Sequence, residues 1–215
     1  YATEQVARHN EPAWLVGHSL GGYLSLMAAC LKPNLVKGVV LMDSPILGGW
    51  RAGMVRVSKR TGMVDSFSPG KVSRRRRQSW PSLDAVLAHF KSKKVFAQWH
   101  PQVLEHYAAQ GTHEVVNHGQ SERVLSFDRE VETAIYNTLP HDMDRFLKSH
   151  PIACPVAFIG GTRSVEIRQV GLELTQRICK GRVMMLDGGH LFPMEKPLVA
   201  AAAIETALLN LKSLG

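Results

Sequence analysis

The chain has 215 residues, 45% of them hydrophobic and 20% charged, an ordinary balance for a globular protein with one sizeable core and room for an inserted subdomain. No apolar run reaches the roughly 18–20 residues a membrane span needs, and no basic start followed by a short apolar stretch marks a secretory signal. The net charge is +8 and the pI about 9.6, yet no recognition-helix or RNA-binding motif accompanies the basic residues, so nucleic acid is not an expected partner.

Residues Ala13 to Val16 form a short apolar run that predicts a buried strand. Gly17-His18-Ser19-Leu20-Gly21 follows and reads G-x-S-x-G. The apolar stretch from Gly22 to Leu31 predicts a buried helix. Strand, sharp turn and helix with a serine at the apex is the pattern of a nucleophile elbow. The turn strains the serine backbone, so the residues two before and two after it are expected to be small, and both are glycine. It also places the hydroxyl at a helix N-terminus, where free N–H groups and the dipole favour a developing oxyanion. The Leu20 N–H is the expected oxyanion donor, and His18 is expected only to fill space beside the nucleophile.

Leu35 to Met42 predicts a parallel strand covered on both faces, ending at Asp43-Ser44-Pro45. From residue 46 to about 150 the character changes. Basic residues crowd this stretch (Arg51, Arg56, Lys59, Arg60, Lys71 and Arg74 to Arg77), and Trp50, Trp80 and Trp99 fall within it. Ser82 to Trp99 has helical periodicity, with Ser79 or Ser82 as its cap. A shorter helix is expected over Val103–Ala109, a brief strand over Val124–Phe127 and a helix over Arg129–Leu139. The basic run is expected to be a solvated loop, and scattered histidines such as His100, His106 and His113 lack zinc-site spacing.

A strand is expected from Cys154 to Gly161, a helix from Glu166 to Cys179, a strand over Gly181–Leu186 and a helix over Pro197–Leu211. Between the last two, Asp187-Gly188-Gly189-His190 puts an imidazole on a glycine-rich loop at a strand end, a good place for a general base. Strands alternating with helices on both flanks indicate a parallel sheet.

The chain resembles the α/β-hydrolases, in the esterase-like group with a helical cap. Gly17 to Gly22, and Gly188-Gly189-His190 with Phe192-Pro193, carry the resemblance. It implies an α/β fold: a mostly parallel sheet with helices on both faces, the core in residues 1–45 and 150–215 and a cap over 46–149. It also implies a serine hydrolase that cleaves a carboxylic ester through an acyl-enzyme, with Ser19 as nucleophile and His190 as base. Thioester, lactone or carbon–carbon bond hydrolysis, or a catalytically impaired binding module, are the alternatives. The expected substrate is a small ester with an apolar portion. No metal or organic cofactor is implied, and association with a second copy of the chain is left open.

Family members usually carry their acid at the position that is Ser164 here. A hydroxyl cannot stabilise an imidazolium as a carboxylate does. Asp43, at the end of the preceding core strand, is the favoured replacement. Glu166 is the alternative acid, and Asp187 is expected to shape the histidine loop. Because family members have several strands and a second oxyanion donor ahead of the elbow, the chain is expected to lack an N-terminal part, and the 215-residue piece to be poorly stable or inactive alone. Cys30, Cys154 and Cys179 are expected to be free thiols in a reducing, cytoplasmic setting.

Overall fold

The structure, a computed structural model, describes residues 4–5, 8, 11–47, 73–138 and 143–213. The expected features at Gly48 to Lys71, among them Trp50 and five basic residues, lie outside the described residues, as do Leu139 and Pro140. The chain divides into two compact units: Tyr1–Val57 with Pro140–Pro193 and Leu198–Gly215, and Ser58–Leu139 with Met194–Pro197.

The first unit is built on four strands, β1 (Ala13–His18), β2 (Val36–Met42), and further along the chain β6 (Val156–Gly161) and β7 (Val183–Leu186). They pair in the order β1-β2-β6-β7, and every pairing is parallel. Parallel neighbours need crossovers, and helices supply them. Helix α1 (Leu20–Leu31) links β1 to β2; α5 (Met143–Ser149) precedes β6; α6 (Val165–Val170) and α7 (Glu173–Ile178) lie between β6 and β7. The short α8 (Phe192–Glu195) and the long α9 (Pro197–Lys212) close the chain.

Alternate residues of the central strands point to opposite faces, so each face needs its own cover. Val39, Leu41, Val156 and Phe158 join Leu26 and Ala29 of α1 and Leu174 of α7 in one core layer. Val40, Met42, Ala157 and Ile159 join Ala200, Ala203, Ala207 and Leu211 of α9 in the other. The alanines repeat at three- and four-residue spacing, which lays a small-residue stripe of the helix against the sheet. Cys30 and Cys179 are buried and free, and burial pushes their thiols up to about 11 and about 12.

The helix expected over Glu166–Cys179 is two helices. Gly171 separates them at φ 80°, ψ 174°, a backbone region only glycine enters cheaply.

The second unit holds β3 (Ser79–Trp80), α2 (Leu83–Lys91), α3 (Pro101–Gln110), β4 (Thr112–Asn117), β5 (Gln120–Leu125) and α4 (Arg129–Asn137). The helix expected from Ser82 to Trp99 stops at Lys91, and only a 3-10 turn over Lys94–Phe96 follows. Its cap is Ser82, whose hydroxyl accepts from the Ala85 N–H, while Ser79 lies in β3. The strand expected at Val124–Phe127 is the end of β5, and a three-stranded antiparallel sheet, β3-β5-β4, stands where mainly helices were expected. His118 and Gly119 turn the hairpin, both at positive φ. This unit has its own core, where Trp80, Val86, Phe90, Leu104 and Leu125 gather with Phe96, Trp99 and Tyr107 around them.

The arginine run is not wholly a solvated loop. Arg76 pairs with Glu132 at 3.3 Å and lies over Phe127, and Arg77 donates to the Ser79 carbonyl at 2.8 Å. Among the described residues no helix is long and apolar enough to cross a membrane.

Candidate active site

The site assembles at the carboxyl ends of β1, β2, β6 and β7, the edge of a parallel sheet where ligands generally bind. Ser19 sits between β1 and α1 at φ 53°, ψ −120°. Such a conformation costs a non-glycine residue about 1–3 kcal/mol and persists only when the surroundings impose it. They do so here. The Ser19 N–H donates to the Met42 carbonyl at 2.9 Å, and its own carbonyl accepts the buried Ser44 hydroxyl at 2.8 Å.

Two glycines allow the close approach, but not both of those expected. A Cβ on Gly17 would overlap the Gly21 carbonyl, and a Cβ on Gly22 would overlap the Ser44 side chain; a Cβ on Gly21 would meet nothing. The crowded position after the serine is therefore Gly22.

An N-cap serine ordinarily accepts from an N–H in the first helical turn. Ser19 makes no such side-chain bond, and its Oγ lies 3.0 Å from His190 Nε2. The Gly22 and Tyr23 N–H groups already donate to the Ser19 carbonyl, at 3.0 and 3.4 Å, while the Leu20 N–H opens the helix at the end where an anion is favoured.

His190 reaches Ser19 from the loop after β7. Its Nδ1 lies 2.6 Å from Asp43 Oδ2. A carboxylate only accepts, so the proton is on Nδ1, and a neutral ring keeps its lone pair on Nε2, toward the serine. Three strand-end contacts hold the loop in place. Thr162 N–H donates to the Leu186 carbonyl at 2.8 Å, and Arg163 N–H to the Gly188 carbonyl at 2.9 Å. His18 Nε2–H donates to the His190 carbonyl at 2.8 Å. His18 was expected only to fill space; its bond to a backbone 172 residues away carries no sequence signal. Asp187 ion-pairs with Arg163 on the outside of the same loop.

Asp43 is fully buried, at φ 45°. A buried carboxylate is tolerable only when hydrogen-bonded. Oδ1 accepts the Gly161 N–H at 2.8 Å; Oδ2 accepts the Ser164 hydroxyl at 2.6 Å as well as His190 Nδ1–H. Its backbone N–H donates to the Ile159 carbonyl at 2.8 Å. Downstream, the Tyr23 hydroxyl donates to the Pro45 carbonyl at 2.6 Å, and burial pushes that phenol up to about 12.

Glu166, in the first turn of α6, places Oε2 3.7 Å from His190 Nδ1 and 3.2 Å from the Ser164 Oγ. Asp43, Glu166 and His190 thus bring three donor atoms within 4.8 Å of one another, a spacing that could hold a cation. Both oxygens of Asp43 are already engaged by N–H and O–H donors, so the set reads as a hydrogen-bond network.

Burial pulls the His190 imidazole down, but the hydrogen bond to Asp43 and the charges of Glu166 and Asp43 outweigh it and hold the ring above its ordinary 6.5. Burial, aided by the neighbouring His190, holds His18 below 6.5 despite its bond to the His190 backbone.

Comparison with known proteins identifies the family and the fold. The sequence model of the alpha/beta hydrolase family matches residues 1–204. The chain belongs to that family. A 59-residue stretch, 27% of this hydrolase-family chain, is 41% identical to the chloroplastic pheophytinase of Arabidopsis thaliana and covers 12% of that protein. Among solved structures, a thioesterase domain from the curacin biosynthetic pathway superposes with a TM-score of 0.65 at 21% identity, over 96% of this chain and 71% of that one. An E-2-(acetamidomethylene)succinate hydrolase gives 0.61 at 22% identity, over 96% of this chain and 69% of its own. An esterase of M. tuberculosis gives 0.61 at 16%, over 96% and 67%. At such identities the likeness shows the α/β-hydrolase fold.

Proposed function

We propose that the protein is a serine hydrolase acting on a carboxylic ester, with Ser19 as nucleophile, His190 as general base and Asp43 as the acid that orients it. The observation that carries this reading is the unbroken line Ser19 Oγ, His190 Nε2, His190 Nδ1, Asp43 Oδ2, with separations of 3.0 and 2.6 Å.

The steps follow from the protonation states. Ser19 Oγ forms a bond to the ester carbonyl carbon as its proton passes to His190 Nε2. The carbonyl π pair moves to oxygen, and the Leu20 N–H at the helix N-terminus stabilises the resulting oxyanion. The ring is then an imidazolium, and the buried Asp43 carboxylate at Nδ1 stabilises its charge. As the oxyanion collapses, the bond to the alkoxy group breaks and His190 returns the proton to the departing oxygen. Water repeats the sequence on the acyl-enzyme, giving the acid and regenerating Ser19. A fluorophosphonate should label the purified protein, and Ser19→Ala should abolish the labelling. A folded protein that does not label would refute the reading.

A further inference from the structure

We propose that Glu166 is a second carboxylate at His190, one that shares the imidazolium charge with Asp43 and is coupled to Asp43 through the hydroxyl of Ser164. This rests on the reading of His190 as the general base.

The geometry sets unequal roles for the two acids. Asp43 Oδ2 lies at hydrogen-bond distance from Nδ1, whereas Glu166 Oε2, at 3.7 Å, acts through its charge. Asp43 is fully buried, while the Glu166 side chain is 44% exposed, so solvent screens Glu166 more. Ser164 joins them. Its single hydroxyl proton has two carboxylate acceptors, Asp43 Oδ2 at 2.6 Å and Glu166 Oε2 at 3.2 Å. Its Oγ also accepts the Ile167 N–H at 3.2 Å and thereby caps α6. The helix carrying Glu166 is thus fixed by the hydroxyl that binds Asp43. A turn of that proton from Asp43 to Glu166 would move the donated hydrogen bond from one carboxylate to the other.

The other groups around the imidazole come from separate elements. From β1, the His18 ring stands 4.8 Å away, centroid to centroid, and burial keeps it on the neutral side of its ordinary value. From the elbow comes the neutral Ser19 hydroxyl, and on the histidine loop Asp187 is engaged by Arg163. Glu166 and Asp43 are therefore the two carboxylates with an oxygen close to Nδ1 among the described residues. Burial lowers His190; the Asp43 hydrogen bond and the charge of Glu166 together reverse that. Such a second carboxylate would poise the base for a particular pH and back up Asp43 when the first is lost.

The test uses Glu166→Gln, which keeps the shape and a hydrogen-bonding carbonyl but removes the charge. In a Ser19→Ala background, NMR titration of the His190 ring should give a midpoint lower by about half a unit to one unit when Glu166 is Gln. An unchanged midpoint overturns the proposal, whether or not the protein is an esterase. In the active protein, Asp43→Asn should retain at least tenfold more turnover of a p-nitrophenyl ester than Asp43→Asn with Glu166→Gln. Equal turnover in the two overturns the backup role. Loss of fluorophosphonate labelling in the unmutated protein would instead remove the esterase reading and leave the NMR result standing.

Discussion

Ser164 Oγ lies 2.6 Å from Asp43 Oδ2, so the hydroxyl at the position where the family resemblance leads one to expect an acid donates to the carboxylate proposed to take its place. Two strand ends, after β2 and after β6, converge on one point beneath the imidazole. The register explains why. Met42 is paired with Ile159 in the parallel ladder, and Asp43 and Ser164 leave those neighbouring strands toward the same edge. A carboxylate at position 164 would start beside the Asp43 oxygen that meets His190 Nδ1, which makes the two positions candidates for the same role.

The first prediction uses this equivalence. Asp43→Asn should lower kcat on a p-nitrophenyl ester by about two to four orders of magnitude, because the ring loses its hydrogen-bonded carboxylate and keeps only the more distant, screened Glu166. Adding Ser164→Asp to that variant should recover at least tenfold. Ser164→Asp alone should not help, since two buried carboxylates at this distance cannot both ionise easily. If the double variant stays at the level of Asp43→Asn, the two strand ends are not interchangeable.

The second prediction concerns pH. The base works only when neutral, and its ring is held above the ordinary 6.5. kcat/KM should therefore fall as pH drops through a midpoint above 6.5. An acidic limb centred below 6.5 in the unmutated protein would mean that burial, not the two carboxylates, dominates His190.

The residues that meet in the site were visible in the sequence for local reasons. Ser19 lay between an apolar run and an apolar helix, His190 followed two glycines at a strand end, and Asp43 closed the apolar run Val36–Met42. What was not visible is whatever depends on long-range contact. The Ser164 hydroxyl's partner is 121 residues away and the His18 partner 172. The β4–β5 hairpin was hidden because its strands carry little apolar alternation, although His118-Gly119 was a readable turn. The split between α6 and α7 was missed because the apolar spacing of Ile167, Val170, Leu174 and Ile178 runs on in helical phase across Gly171.

The third prediction concerns His18. Its Nε2–H anchors the His190 backbone and touches no reacting atom in the proposed chemistry. His18→Phe keeps a ring of similar bulk and removes the donor. We expect kcat to fall about ten- to a hundredfold through misplacement of the base, with KM little changed. His18→Gln, which offers an amide N–H, should recover part of the loss. Failure of Gln to exceed Phe would indicate that ring packing, not the hydrogen bond, is what matters.

The fourth prediction separates the two glycines after the nucleophile. Gly21 opens onto empty space and lies in the first turn of α1, so Gly21→Ala should be tolerated, and helix propensity favours alanine there by up to about 1 kcal/mol. Gly22→Ala puts a methyl into the side chain of Ser44, which is fully buried and hydrogen-bonded to the Ser19 and Met42 carbonyls. Relief requires α1 to move away from the strand end or Ser44 to abandon those carbonyls, and overpacking of this kind typically costs about 1–3 kcal/mol. Either movement shifts the elbow. Gly22→Ala should therefore lower both Tm and the rate of fluorophosphonate labelling, while Gly21→Ala keeps Tm at or above that of the unmutated protein. Equal behaviour of the two variants would mean that the crowding at Gly22 is relieved elsewhere, by a rotation of Ser44 that leaves the nucleophile in place.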